Sequence, residues 1–201
     1  MARRRAGREA DTRQALAVAA ARIMAEEGVR DFGKAKRKAA DRLGVPPSVS
    51  LPGNDEVQAA LKDYLALFHH DLPQTLARLR GAALEAMELL AEFDPRLVGP
   101  VLEGTATQYT DVQLHATATN PEDLQFFFQE RGIEFEQIER RLRFGGERVA
   151  MLPAFRFQSA DVVVEVVVFS PESVREAPLS AGDNRPMRRI TAKELRALLT
   201  P

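Results

Sequence analysis

Residues 97–116 constrain the fold of this chain more than any other segment. They comprise an apolar run, a turn of small residues, a polar loop and a stretch in which polar and apolar residues alternate. Successive side chains of a strand point to opposite faces, so Asp111 and Gln113 are predicted to share one face. The pattern predicts two strands, at 97–102 and 111–118, the second with a polar face.

A later stretch, residues 161–169, places two carboxylates among six valines and a phenylalanine. Asp161 and Glu165 are four residues apart, so a strand here would carry both on one face. Magnesium prefers hard oxygen ligands, and nucleotidyl transfer uses two such ions held by carboxylates. We therefore expect the acids of the two segments to meet on neighbouring strands and hold a metal ion.

The sequence pattern changes at Pro95 from helical periodicity to a mixture of strands and helices. Residues 1–10 are rich in arginine and predict a flexible basic tail, and residues 11–94 show helical periodicity interrupted by prolines. Residues 95–201 mix several strands with one helix between them and one helix at the C-terminus, and the strands after residue 134 are joined by short turns and predict antiparallel pairing. The predicted class is α+β: a helical N-terminal region, then a small mixed, largely antiparallel sheet with flanking helices.

The order of motifs in residues 95–170 is similar to that of the nucleotidyltransferase superfamily of the DNA polymerase beta type. That family has a Gly-Ser or Gly-Gly turn, an Asp-x-Asp or Asp-x-Glu strand, and a third acid on a later strand. Gly104 and Thr105 match the turn, Asp111 matches the first acid and Glu165 the third. Gln113 stands where the second acid belongs, and this is the main departure.

The resemblance implies a protein that transfers a nucleoside monophosphate from a nucleoside triphosphate, with Mg²⁺ as cofactor, to an acceptor that the sequence does not name. A site that lacks one bridging carboxylate would hold Mg²⁺ more weakly, so the active site is also interpretable as degenerate. The implied catalytic residues are Asp111, Glu165 and Asp161; the implied metal ligands are Asp111 and Glu165; the implied nucleotide-binding residues are Gly104, Thr105 and Gln113.

Two alternatives remain open. In one, the acids are ordinary polar residues on the solvent side of a half-exposed sheet. In the other, the same fold is a non-catalytic module that binds nucleic acid or a partner protein through a basic stripe on a predicted helix, at Lys34, Lys38 and Arg42. Such a stripe is also common on a solvated helix face. Four arginines around the predicted Gly145-Gly146 turn could also bind phosphates, but exposed hairpin arginines are common and we discount them: Arg140, Arg141, Arg143 and Arg148.

Composition excludes several kinds of site and a membrane-spanning segment. The formal net charge is -1, so the whole chain has no strong electrostatic attraction to nucleic acid. The absence of cysteine excludes disulfides, thiol nucleophiles and thiolate metal sites, and is consistent with a reducing compartment. No apolar run approaches the roughly 20 residues that span a bilayer. We therefore expect a cytoplasmic protein without a membrane segment.

Overall fold

The computed structural model describes residues 2–46 and 49–199, and for residues 2–8 it describes only the backbone. The chain divides into two compact units. Unit 1 comprises Met1–Leu72 with Ala181–Asn184, and unit 2 comprises Pro73–Ser180 with Arg185–Pro201. The sequence-based border at 94/95 therefore falls inside unit 2.

The described residues of unit 1 form three helices: α1 (Ala2–Glu27), α2 (Phe32–Leu43) and α3 (Asn54–Phe68). The predicted helical region starts at residue 11, whereas α1 begins at Ala2 and runs through the segment predicted to be a flexible tail. α2 begins after Asp31, whose side chain accepts a hydrogen bond from the Lys34 N–H and so caps the helix. Alanine and leucine side chains of the three helices form one buried core.

Unit 2 is built on a five-stranded sheet. Its helices are α4 (Leu72–Leu89), α5 (Gly99–Glu103), α6 (Pro121–Glu130) and α7 (Ala192–Leu199). Its strands are β1 (Arg96–Val98), β2 (Val112–Thr117), β3 (Phe135–Arg143), β4 (Val149–Ser159) and β5 (Val162–Phe169). The strand order is β1-β2-β5-β4-β3, with β2 and β5 parallel and the other neighbours antiparallel. The predicted α+β class, with a mixed and largely antiparallel sheet, is confirmed.

One face of the sheet carries the main core of unit 2. Side chains of α4, α6 and α7 pack there against β2, β4 and β5; among the fully buried ones are Met87, Leu114, Phe128, Phe155 and Leu195. The opposite face is apolar at one end, around Phe144 and Phe169, and polar at the other. Because the helices cover the first face, polar side chains of the central strands collect on the second.

The predicted strand at 97–102 is wrong beyond its first two residues. β1 ends at Val98, and residues 99–103 form the short helix α5 with Pro100 in its first turn. Proline has no N–H to donate to a sheet and its φ suits the start of a helix, so the Gly-Pro pair turns the chain out of the strand. In the described part of the chain, no helix has the length and apolar character needed to cross a membrane.

Candidate functional site

Parallel pairing of β2 with β5 brings the predicted site residues together. Gln113 and Glu165 are register partners, so their side chains lie side by side on one face of the sheet. Asp111 precedes β2 by one residue and, by strand alternation, shares the face of Gln113. The structure thus assembles Asp111, Gln113 and Glu165 at the centre of the sheet.

Buried polar side chains are concentrated around this group. Among the described residues, the buried polar or charged ones are Thr105, Asp111, His115 and Glu165. Asp111 is 8% exposed and Glu165 is 6% exposed. Withdrawing an ionised carboxylate from water costs several kcal/mol unless it gains a charged or hydrogen-bonding partner. Two such carboxylates on one face of the sheet therefore need charged or hydrogen-bonding partners.

Arg140 of β3 is the partner of Glu165. Its Nε donates to Glu165 Oε1 at 2.7 Å and its Nη2 donates to Glu165 Oε2, a bidentate ion pair. These hydrogen bonds are the main cause that raises the pKa of Arg140, with the charges of Glu165, Asp111 and Glu136 adding to them. Arg140 therefore stays cationic beside the acids.

Arg156 of β4 is a partner of Asp111. Its Nη2 donates to Asp111 Oδ2 at 3.1 Å, and its Nη1 donates to Glu136 Oε2 at 3.4 Å. Arg156 is also the register partner of Glu165 on the antiparallel side, which places it on the same sheet face. Two guanidinium groups thus neutralise the two buried carboxylates.

The predicted phosphate turn lies at the far end of α5. Gly104 ends the helix with a φ of 79°, and the N–H groups of Gly104 and Thr105 both donate to the Pro100 carbonyl. The backbone N–H groups that the resemblance assigned to phosphates therefore already have an acceptor. Although Thr105 is buried, its backbone does not present free donors.

Gly99, at the other end of α5, is the glycine that faces the site. Its φ is 71°, and a Cβ at this position would lie 2.4 Å from Gln113 Oε1. The positive φ favours glycine here, and a Cβ would in addition displace the amide end of the Gln113 side chain. The Gly99-Pro100 pair was the available signal in the sequence, and it was hidden within the apolar run that predicted a strand.

Asp161 does not join the other acids. It lies in the turn between β4 and β5, four residues before Glu165, which is about 13 Å along an extended chain. Its side chain is 74% exposed and its Oδ2 accepts from Arg78 Nη1 of α4 at 2.5 Å. The structure gives Asp161 an ion pair with a helix rather than a place beside Asp111.

His115 lies two residues beyond Gln113 on the same face. It is 3% exposed, its ring lies 4.7 Å from that of Phe169, and its Nδ1 has no hydrogen-bond partner among the described residues. Burial, and secondarily the charge of Arg189, lower the pKa of His115 to about 3. The imidazole is therefore neutral at physiological pH.

The basic stripe lies in unit 1 and is exposed at Lys34, Lys38 and Arg42. On the same helix Ala35 and Ala39 are buried, whereas Leu43 is 48% exposed. Lys38 Nζ and Arg42 Nη1 both bind the Glu27 carboxylate of α1. Part of the positive charge of the stripe is therefore neutralised inside the unit.

The donor set suits one divalent cation better than two. In the described ranges no group of three or more His, Asp or Glu side chains is placed to hold a metal ion. Asp111 and Glu165 supply two carboxylates, and Gln113 adds a neutral carbonyl oxygen. Magnesium is commonly held by one or two carboxylates together with substrate phosphates, so these residues fit a single ion that arrives with a nucleotide.

Comparisons with known proteins found no relative of this chain. A scan against models of protein families found no match, and searches of curated proteins and of solved structures also found none.

Proposed function

We propose that unit 2 is a nucleotidyltransferase-like module that binds a nucleoside triphosphate together with one divalent cation at Asp111 and Glu165. The observation that supports it best is that these two carboxylates are buried on one face of the sheet, Glu165 beside Gln113 in the parallel pair of β5 with β2 and Asp111 two residues before Gln113. Their oxygens are the ligands that Mg²⁺ prefers. We choose a nucleoside triphosphate as the ligand because the order of motifs is similar to that of nucleotidyltransferases of the DNA polymerase beta type.

The residue set supports nucleotide binding more directly than transfer. A bound cation would offset the phosphate charge and polarise a phosphoryl oxygen. The pair of ions used in nucleotidyl transfer needs a further bridging acid, and Gln113 occupies that position without a charge. The proposal is therefore a binding module with a degenerate transfer site, in which Asp111 and Glu165 orient the cation and Gln113 supplies a neutral oxygen.

Calorimetric titration of the full chain with nucleoside triphosphates, with Mn²⁺ or Mg²⁺ and with chelator, tests this proposal. We expect binding that requires the cation and weakens at least tenfold in Asp111→Asn and in Glu165→Gln, a loss of about 1.4 kcal/mol or more. Asp161→Asn is the matched control, because it removes an acid of the same segment that lies away from the site. Cation-independent binding, or equal affinity in all three variants, would contradict the proposal.

Gln113→Asp tests whether the site lacks only one charge. A carboxylate at this position adds the ligand that the family pattern contains, so cation affinity is expected to rise. The measurement is the shift in melting temperature with Mn²⁺, since a ligand bound only to the folded state stabilises it by RT ln(1 + [L]/Kd). A cation-induced shift no larger than that of the wild type would show that position 113 does not face a cation.

A second candidate function is nucleic-acid binding through α2, favoured by the exposure of Lys34, Lys38 and Arg42. If α2 contacts phosphates, Lys34→Glu should weaken binding to a labelled duplex and lower its salt dependence, whose log–log slope is about −0.9 per phosphate neutralised. Lys62→Glu, an exposed lysine on α3, is the control. Absence of binding at low salt would leave α2 as a solvated helix.

A further inference from the structure

Arg140 and Arg156 shield the two carboxylates of the candidate site from solvent. The side chains of Glu165 and Asp111 are 8% and 9% exposed, whereas those of Arg140 and Arg156 are 43% and 33% exposed. A cation that approaches the carboxylates from solvent therefore meets two guanidinium groups that already bind them. Cation and guanidinium cannot both use the same carboxylate oxygens without repulsion.

Both arginines retain unused hydrogen-bond donors. A guanidinium carries five N–H groups. Arg140 donates from Nε and Nη2 to Glu165. Arg156 donates from both terminal nitrogens to acids, while its Nε is buried and has no partner among the described residues. Bidentate phosphate contacts are among the strongest that a guanidinium makes, so these side chains have an alternative acceptor in a triphosphate.

Arg140 reaches Glu165 from an edge strand. It lies on β3 and crosses β4 to its partner. By register its path passes Ala154, which pairs with Ile138 on one side and Val167 on the other. Ala154 has no side-chain atom beyond Cβ. Arg140 therefore holds Glu165 through its own long side chain, and a change in the torsions of that side chain is the movement that an exchange of partners requires.

We infer that Arg140 and Arg156 exchange partners when the ligand binds. In the unliganded protein they neutralise Glu165 and Asp111, and in the loaded protein a divalent cation takes the carboxylates while the arginines bind the phosphate oxygens. This inference rests on the proposed function and deepens it, since it assigns the triphosphate contacts to residues that the motif resemblance does not include. Each charge has an opposite partner in both states.

The exchange predicts effects of opposite sign on two affinities. In Arg140→Met, Glu165 loses its competing cation, so affinity for Mn²⁺ alone should rise at least fivefold. Affinity for a non-hydrolysable nucleoside triphosphate in saturating Mn²⁺ should fall at least tenfold, because a phosphate contact is lost. Arg156→Met should behave in the same way through Asp111. Both affinities are measured by calorimetric titration of the full chain.

Arg141→Met is the matched control, because Arg141 neighbours Arg140 on β3 but points to the opposite face of the sheet. It should change neither affinity. In the double variant Arg140→Met/Glu165→Gln the gain in Mn²⁺ affinity should disappear. If Arg140→Met does not fold, Arg140→Lys keeps a charge at the position and should show both effects in weaker form, because lysine cannot bind either partner bidentately.

A failure of the exchange is distinguishable from a failure of the proposed function. Unchanged or weaker Mn²⁺ affinity in Arg140→Met would overturn the exchange even if the wild type binds nucleotide with the cation. A gain in Mn²⁺ affinity without loss of nucleotide affinity would also overturn it, because the arginine would then not contact phosphate. The proposed function fails on a different result, namely a wild type that binds no nucleotide in the presence of the cation.

Discussion

A glycine stands at each end of the short helix α5, and of the two only Gly99 lies against another side chain. Gly104→Ala should lower the free energy of unfolding by about 1–2 kcal/mol, the cost of a left-handed backbone for alanine, because its Cβ would have no atom within 4 Å. Gly99→Ala has the same backbone cost and adds a contact with Gln113, worth about a further 1 kcal/mol. Urea unfolding of both variants measures the difference.

The double variant Gly99→Ala/Gln113→Ala isolates the contact with the amide. Shortening Gln113 should remove the additional cost in the Gly99 variant, so the two substitutions should be non-additive. Strict additivity would mean that Gly99 is required for its backbone conformation alone. Equal stability of the two single glycine variants would lead to the same conclusion.

His115 is expected to make stability depend on pH. Its pKa is lowered to about 3 in the folded protein against an ordinary value of 6.5, so the unfolded chain binds more protons between these values. Stability is therefore lost as pH falls from about 6.5 towards 3. His115→Phe removes the group that takes up this proton. The free energy of unfolding of the variant, relative to wild type, should therefore rise by about 2 kcal/mol between pH 7 and pH 5.

Urea unfolding at the two pH values, with wild type and His115→Phe in parallel, checks this. Phenylalanine preserves the ring contact with Phe169, and the substituted Nδ1 has no partner among the described residues to lose. A relative stability that does not change with pH would show that the imidazole is protonated in the folded protein.

At the scale of elements, α6 shows how an amphipathic helix holds the sheet. Phe128 is fully buried and its ring lies 5.0 Å from Phe157 and 6.0 Å from Phe155, whereas Phe126 is 58% exposed on the opposite side. Phe128→Ala should cost about 3–5 kcal/mol through lost burial and a cavity. Phe126→Ala should change stability by at most about 0.5 kcal/mol. Thermal or urea unfolding distinguishes them, and similar losses would mean that α6 packs differently.

Elements with strong local signals were predictable from sequence. The antiparallel strands predicted after residue 134 agree with β3 to β5, because the short turns that join them are a local property. Local signals also begin two helices: Asn120-Pro121 stands at the start of α6, and at the start of α7 the Glu194 N–H donates to Thr191 Oγ1 at 3.2 Å.

The candidate site was predictable only in part. Alternation along two strands predicted a shared face for Asp111 and Gln113, but Asp161 obeys the same alternation and lies in a turn. The contacts of Arg140 and Arg156 depend on the register between β3, β4 and β5, which local patterns do not encode. The role of Gly99 was not predictable from local sequence, because it is a contact with Gln113, 14 positions later in the chain.

At the scale of the whole molecule, each of the two units carries a charged group of its own. Unit 1 carries the basic stripe of α2, partly neutralised by Glu27, and unit 2 carries the paired acids and arginines of the sheet. The unit border at Leu72/Pro73 lies earlier than the sequence predicted, since α4 contributes Leu79 and Met87 to the core of the sheet unit. The helix was assigned to the N-terminal region because periodicity shows its apolar face but not which core that face joins.

The most direct test of the account is a crystal structure of the full chain with Mn²⁺ and a non-hydrolysable nucleoside triphosphate, with the metal located by its anomalous scattering. We expect one Mn²⁺ within bonding distance of an oxygen of Asp111 and of Glu165, with Arg140 and Arg156 turned to the phosphates. No metal at these carboxylates, with both arginines still bound to them in crystals that contain the nucleotide, would contradict it.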